Sequence, residues 1–180
     1  MTLYQKKVLD KYIKALDKKA IQEKYETFKT HFHNPIIQEN IKKSKEEQYQ
    51  EGFLTDLFVN ILGYTKNPLE GYNLTTELKN VKDTKKVDGA IIIEDIVVAV
   101  IELKGVSIKD KDFKETEQQA FNYKNNQVGC NYVIISNFQK IRLYIDNAVT
   151  HQEWDLFSLT EELNFLQKSG QISLAPMLRF

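Results

Sequence analysis

Two carboxylates and one ammonium lie near the ends of the apolar stretch VDGAIIIEDIVVAVIELKG at residues 87–105, apart from the Glu94-Asp95 pair in its middle. Asp88 stands near its start, and Glu102 and Lys104 stand at its end. Leaving charges unpaired beside a hydrophobic core costs several kcal/mol, so these side chains must pair with one another or bind something. Carboxylate oxygens are ligands that suit Mg²⁺. A bound metal ion makes water a stronger nucleophile and stabilises charge on a phosphate, and a neighbouring lysine can position that water.

The spacing of these residues leaves two interpretations open. Side chains alternate between the two faces of a strand, so Glu102 and Lys104 share one face while Ile101 and Leu103 share the other. In the first interpretation, Lys104 forms a salt bridge with Asp88 or Glu102 at the edge of a sheet. In the second, the two carboxylates converge on a divalent cation and the lysine faces the substrate.

The hydrophobic pattern predicts which elements position these three residues. Strands are predicted at residues 87–93 and 96–104 around a turn at Glu94-Asp95, and also within 72–80, 131–136 and 140–146. Helices are predicted at residues 3–30, 36–63, within 107–127 and at 158–170. This order predicts an α/β (α+β) fold, in which helices flank a mixed β-sheet.

The charge balance, the lengths of the apolar runs and the cysteine count limit the classes of protein to which this chain can belong. Lys+Arg and Asp+Glu both number 25, so the net charge of zero does not point to a nucleic-acid partner. No apolar run approaches the ~20 residues that span a bilayer, which predicts no membrane association. The single cysteine, Cys130, excludes an internal disulfide framework and a cysteine-rich metal site. We therefore expect a cytoplasmic protein.

The motif residues resemble those of a known nuclease superfamily. Asp88, a gap of 13 residues and then Glu102-Leu103-Lys104 resemble the PD-(D/E)XK motif, although Val87 stands where the motif has proline. Gln119 and Tyr123 form Gln-x-x-x-Tyr on one predicted helical face, an element of restriction and recombination nucleases. The segments KEEQYQEGFLTDLFVNILGY, KKVDGAI, VIELKG and EQQAFNY are similar to the N-terminal nuclease domains of fused restriction-modification polypeptides, and the resemblance spans roughly residues 36–160.

The resemblance implies a role for each residue of the motif. Asp88, Glu102 and the main-chain carbonyl of Leu103 would ligate Mg²⁺, with Mn²⁺ as a possible substitute. Lys104 would act on the attacking water.

Further residues would complete the site. Glu51 would contact the metal through water or complete the site, and Glu77 is an alternative for this role, with Glu51 preferred. Gln119 and Tyr123 would line the site, where they would contact the DNA backbone or orient Lys104.

These implications predict a metal-dependent endonuclease domain that hydrolyses phosphodiester bonds in double-stranded DNA. We expect residues 36–180 to form this domain behind a helical extension at residues 1–35. We also expect the chain to be part of a longer restriction-modification enzyme, in which methyltransferase and target-recognition domains lie elsewhere. The alternative is a catalytically silent module of the same fold that binds DNA or a protein partner and uses its charged cluster structurally.

Overall fold

The computed structural model describes residues 17–79, 86–107 and 113–159 as a mixed β-sheet flanked by helices. The helices are α1 Lys18–Phe32, α2 Pro35–Lys43, α3 Glu46–Phe53, which continues as a π-helix over Leu54–Ile61, and α4 Phe113–Asn125. The strands are β1 Leu74–Lys79, β2 Lys86–Ile93, β3 Ile96–Leu103, β4 Tyr132–Ser136, β5 Lys140–Ile145 and β6 His151–Asp155. The predicted α/β class is confirmed. Within the described residues, no helix is both long enough and apolar enough to cross a bilayer.

The six strands form one sheet in the order β1-β2-β3-β4-β5-β6. All neighbouring strands are antiparallel except β3 and β4, which run parallel because α4 crosses between them. The predicted hairpin turn between β2 and β3 is confirmed, and both of its residues have positive φ, 47° at Glu94 and 62° at Asp95. Two positive φ values suit a type I′ turn, whose twist matches that of the flanking strands.

The predicted continuous helix at residues 36–63 is wrong, because the chain is extended between α2 and α3. Ser44 and Lys45 have ψ values of 141° and 157°, so a new helix begins at Glu46. Asn34 caps α2 with its side chain, and Pro35 follows at the first helical position, where its missing N–H costs nothing. Gly63 follows the π-helix with φ of 81°, a left-handed conformation that glycine adopts readily and that commonly ends a helix.

The remaining differences from prediction lie toward the ends of the chain. Strand β6 was not predicted from the sequence. The described part of the predicted helix at residues 3–30 is α1, which runs to Phe32. Residues 3–16 of that prediction, and nearly all of the helix predicted at 158–170, lie outside the described residues.

Two hydrophobic clusters cover the two faces of the sheet. The larger one joins α1, α3 and the π-helix to the sheet through residues such as Phe28, Phe53, Leu57, Ile101 and Leu143. The smaller one joins α4 to the other face through residues such as Val100, Phe113, Ala120, Val133 and Tyr144. The described part of the predicted N-terminal extension thus packs into the same core as the sheet.

Phe53 lies at the centre of an aromatic group that ties the helices together. It is fully buried, and its ring centroid lies 6.3 Å from that of Phe32 and 5.3 Å from that of Phe138. We expect Phe53→Ala to lower the free energy of unfolding by about 3–5 kcal/mol, because it removes apolar contacts and leaves a cavity. Urea unfolding measures this loss. The exposed Ile36→Ala is the control, for which we expect a change within about 0.5 kcal/mol. Equal effects of the two substitutions would contradict this packing.

Candidate active site

The two carboxylates of the motif lie side by side on neighbouring strands. Gly89 on β2 pairs with Ile101 on β3, and Ala90 pairs with Val100. Continuing this antiparallel register by one residue places Asp88 opposite Glu102, where directly opposed side chains interact. The sequence prediction that these strand ends converge is therefore met by the register of the hairpin.

Three consecutive main-chain N–H groups fix the end of β3. The N–H of Leu103 donates to Asp88 Oδ2 at 2.7 Å, and the N–H of Lys104 donates to the carbonyl of Ser136 at 2.8 Å. The N–H of Gly105 donates to Oε2 of Glu46 at 3.1 Å. Two carboxylates from different elements are thereby tied to the residues on either side of Lys104.

The Lys104 ammonium lies among the carboxylates. Its Nζ is 3.0 Å from Oε1 of Glu102 and 3.5 Å from Oε1 of Glu46. Glu102 is only 2% exposed, and its second oxygen, Oε2, is buried without a hydrogen-bond partner among the described residues. An unpartnered buried acceptor is costly, so this oxygen is the feature of the site that most calls for a ligand.

The structure brings Glu46, and not Glu51, into contact with Lys104. Glu51 is exposed, and its carboxylate pairs with Lys66 at 3.0 Å. The physical reason is the phase of α3. At about 100° per residue, Glu46 lies seven residues before the buried Phe53 and faces nearly the same way, whereas Glu51, two residues before it, faces away. The spacing from Phe53 is the sequence signal that would have selected Glu46.

Glu77, the alternative to Glu51, lies near Asp88 but is already paired. It stands on β1 between Thr76, which pairs with Gly89, and Leu78, which pairs with Val87. Its exposed carboxylate is 2.7 Å from the ammonium of Lys86. Glu77 therefore influences the site through its charge, which adds to the effect of burial in raising the pKa of Asp88.

Gln50 was not predicted from the sequence, yet it contacts two carboxylates of the site. Its amide Nε2 lies 3.2 Å from Oε1 of Glu46 and 3.2 Å from Oδ1 of Asp88. Gln50 follows Glu46 by one turn of α3, so the two side chains share a helical face. Gln50 lies about 60° from Phe53 around the helix, so the spacing from this buried residue would have indicated Gln50 as well as Glu46.

The two residues of the Gln-x-x-x-Tyr pair on α4 lie in different environments, because Gln119 is exposed and Tyr123 is buried. Tyr123 is 2% exposed, and its hydroxyl donates to the main-chain carbonyl of Lys86 at 2.7 Å, two residues before Asp88. Gln119 is exposed on α4 and makes none of the side-chain hydrogen bonds found among the described residues. Tyr123 thus supports the strand that carries Asp88, while the amide of Gln119 faces solvent.

Burial and mutual repulsion shift the proton affinities of the site. Burial, together with the charge of Asp88, raises the pKa of Glu102 to about 7 against the opposing effect of Lys104. Burial also raises the pKa of Asp88, although the hydrogen bond from Leu103 lowers it. For Lys104, burial lowers the pKa, but the surrounding carboxylates outweigh this effect and the pKa is raised overall. Lys104 is therefore charged at neutral pH, and its single positive charge lies near three acidic side chains, those of Glu102, Glu46 and Asp88.

The carboxylate oxygens of the site are the type of ligand that a hard divalent cation prefers, although they are not already arranged around a metal position. Among the described residues, no group of three or more His, Cys, Asp or Glu side chains is already arranged to hold a metal ion. Mg²⁺ does not require such a cage, because it usually keeps several waters and binds through one or two carboxylates. The buried Oε2 of Glu102 supplies one acceptor that no other described residue uses.

No protein-family model, curated protein or solved structure matches the chain.

The raised pKa of Glu102 predicts a pH-dependent stability. Its ordinary value is 4.5 and its value in the folded protein is about 7, so between these pH values the folded state binds more protons than the unfolded state. Stability from this group is full below about pH 4.5 and is lost as pH rises through 7. We expect metal-free Glu102→Gln to avoid this loss, which amounts to roughly 3 kcal/mol by pH 8.

Urea unfolding in a chelator at pH 5 and pH 8 measures the effect. The exposed Glu39→Gln on α2 is a control, because that carboxylate is exposed and pairs with Lys42. If wild type and Glu102→Gln lost stability in parallel between the two pH values, Glu102 would not be the buried acid described here.

Proposed function

We propose that the chain is a metal-dependent endonuclease domain of the PD-(D/E)XK type that hydrolyses phosphodiester bonds in double-stranded DNA. The observation that carries this proposal is the buried Oε2 of Glu102, which has no hydrogen-bond partner in the described part of the chain and lies beside Asp88 and the ammonium of Lys104. The mixed sheet flanked by helices agrees with the fold class that the motif implies. The chain would serve as the cleavage module of a restriction-modification enzyme, with methylation and target recognition in other domains.

The acidic residues would hold the cation. Asp88, Glu102 and the main-chain carbonyl of Leu103 would be its ligands, and Glu46 takes the place that the sequence suggested for Glu51. Mg²⁺ at such a site, or Mn²⁺ in its place, supplies an activated water and stabilises charge on the phosphate. The N–H groups of Leu103 and Gly105 already orient the carboxylates of Asp88 and Glu46.

Lys104 acts as a positively charged hydrogen-bond donor in this proposal. Its raised pKa keeps the ammonium protonated near neutral pH in the metal-free protein, so it does not serve there as a general base. An ammonium can neutralise charge that develops on the phosphate and can orient the attacking water. Its contacts with Glu102 and Glu46 hold it at the end of β3 for that purpose.

One observation favours a catalytically silent module as the second candidate. Apart from Oε2 of Glu102, the carboxylates of Asp88, Glu46 and Glu102 already accept hydrogen bonds from the main chain, from Gln50 or from Lys104. A cluster satisfied in this way could act as a polar link between α3 and the sheet in a module that binds DNA or a protein partner. Titration calorimetry with Mn²⁺ separates the candidates, because a structural link would produce no binding heat.

We expect Lys104→Ala to slow DNA cleavage by about a hundredfold or more, because removing one donor that stabilises a transition state typically has this effect. The assay is nicking of supercoiled plasmid with Mg²⁺ under single-turnover conditions. Lys42→Ala is the matched control, since Lys42 is an exposed lysine on α2 paired with Glu39, and it should retain the wild-type rate.

Three outcomes of the nicking assay, read together with the Mn²⁺ titration, distinguish the candidate functions. A wild-type rate in Lys104→Ala would remove Lys104 from the chemistry. A wild-type protein that neither nicks DNA nor binds Mn²⁺ would support the silent module. Cleavage that persists in a chelator would exclude the metal-dependent mechanism.

Gln119 is proposed to contact the DNA backbone from the exposed surface of α4. We expect Gln119→Ala to slow single-turnover cleavage by about a hundredfold through lost positioning, while it changes the free energy of unfolding by less than about 0.5 kcal/mol. Gln118→Ala is the matched control, because this neighbouring glutamine is also exposed. Cleavage by Gln119→Ala within twofold of the control would exclude Gln119 from the site.

Tyr123→Phe should lower the free energy of unfolding more than Gln119→Ala does, but slow cleavage less. Its hydroxyl is bonded to the main chain of Lys86, so its loss should cost about 1 kcal/mol of stability. Cleavage should fall less than in Gln119→Ala.

A further inference from the structure

The amide of Gln50 spans two carboxylates that come from different parts of the fold. Glu46 belongs to α3 and Asp88 belongs to β2, and the same Nε2 lies 3.2 Å from an oxygen of each. An amide nitrogen carries two hydrogens, so it can donate to both oxygens at once. The three side chains therefore form a bridge from the helix to the sheet.

The acceptors determine how this amide is oriented. Ionised carboxylates accept hydrogen bonds and cannot donate them, so the NH₂ end of Gln50 must face Glu46 and Asp88. The opposite orientation would place a carbonyl oxygen against two anionic groups. The orientation thus follows from the charges of its neighbours and does not depend on small differences in distance.

The bridge joins groups that would otherwise repel each other. The same amide nitrogen lies 3.2 Å from an oxygen of each carboxylate, so the two like charges are close enough to repel each other. The other oxygen of each is held by a main-chain N–H, that of Leu103 for Asp88 and that of Gly105 for Glu46. Without the amide, Asp88 keeps its hydrogen bond from Leu103 and Glu46 keeps those from Gly105 and Lys104, and the two carboxylates can turn away from each other.

We propose that Gln50 is a positioning residue that holds Glu46 and Asp88 together before the cation binds. This inference rests on the proposed function, in which Asp88 is a metal ligand. The neutral amide satisfies the anionic oxygens without adding a positive charge that would compete with the cation. A lysine at this position would offer the same hydrogen bonds but would repel the ion.

Gln50→Glu tests the bridge in the metal-free protein. The substitution keeps the length of the side chain but replaces the donor with a third carboxylate between Glu46 and Asp88. We expect the melting temperature in a chelator at pH 8 to fall by about 3 °C or more. Gln48→Glu is the matched control, because it makes the same charge change on the same helix. The Gln48 side chain accepts a hydrogen bond from the N–H of Lys45, which a carboxylate also accepts.

Mn²⁺ then distinguishes positioning from simple packing. Saturating Mn²⁺ neutralises the added carboxylate, so it should raise the melting temperature of Gln50→Glu by more than that of wild type. Gln50→Ala removes the bridge without adding charge, and its dissociation constant for Mn²⁺ should rise about 10–100-fold, as is usual when a residue that orients a ligand is lost. Titration calorimetry measures that constant.

The outcomes separate this inference from the proposed function. If Gln50→Glu and Gln48→Glu melted at the same temperature without metal, the bridge would be refuted. If Gln50→Ala bound Mn²⁺ as tightly as wild type, the positioning role would be refuted while the metal site stood. If wild type itself did not bind Mn²⁺, the proposed function would fail together with the positioning role, and the metal-free melting temperatures would still decide whether the bridge exists.

Discussion

The candidate site depends on the directions of three consecutive main-chain N–H groups at the end of β3. Successive N–H groups of a strand point to opposite edges, so those of Leu103 and Gly105 point away from β4 while that of Lys104 points toward it. The N–H of Lys104 completes the parallel pairing with Ser136. Among residues 17–79, 86–107 and 113–159, the other two N–H groups have no main-chain acceptor and donate to the carboxylates of Asp88 and Glu46. The site therefore begins at the point where main-chain hydrogen bonds between β3 and β2 are replaced by hydrogen bonds to side chains.

Burial of Glu102 sets the electrostatic character of the site. A carboxyl group that is 2% exposed has little access to water, and the nearby Asp88 makes ionisation still less favourable, so its pKa rises to about 7. Lys104 offsets only part of this cost. A folded protein that keeps such a group gives up stability that a neutral side chain would retain, which is common where a site serves a function. In the proposed function the divalent cation supplies the missing positive charge, so the same burial that destabilises the metal-free protein favours binding.

Local pattern predicts the hairpin well and the helices less well. The stretch at residues 87–105 consists of two largely apolar segments separated by Glu94-Asp95. The strands β2 and β3 and the turn between them lie where that pattern predicts them. The break before α3 was not predicted, because Ser44 and Lys45 are neither glycine nor proline and the apolar spacing continues beyond them. Strand β6 was missed since its only buried residue is Trp154, which gives no alternation. Asp88, Glu102 and Lys104 could be found from sequence because they belong to one hairpin, whereas Glu46 and Gln50 reach the site only through the packing of a separate helix.

That packing links the hydrophobic core to the chemistry of the site. The buried ring of Phe53 fixes the rotation of α3 against the sheet, and a helix has only one face to present once its rotation is fixed. Glu46 and Gln50 lie seven and three residues before Phe53, so both fall near the buried face, at the end of the helix where the core gives way to the site. Here the carboxylate of Glu46 meets the N–H of Gly105 and the amide of Gln50 meets Asp88. A change in how Phe53 packs would therefore move a carboxylate and its bridging amide together, without altering any residue of the motif itself.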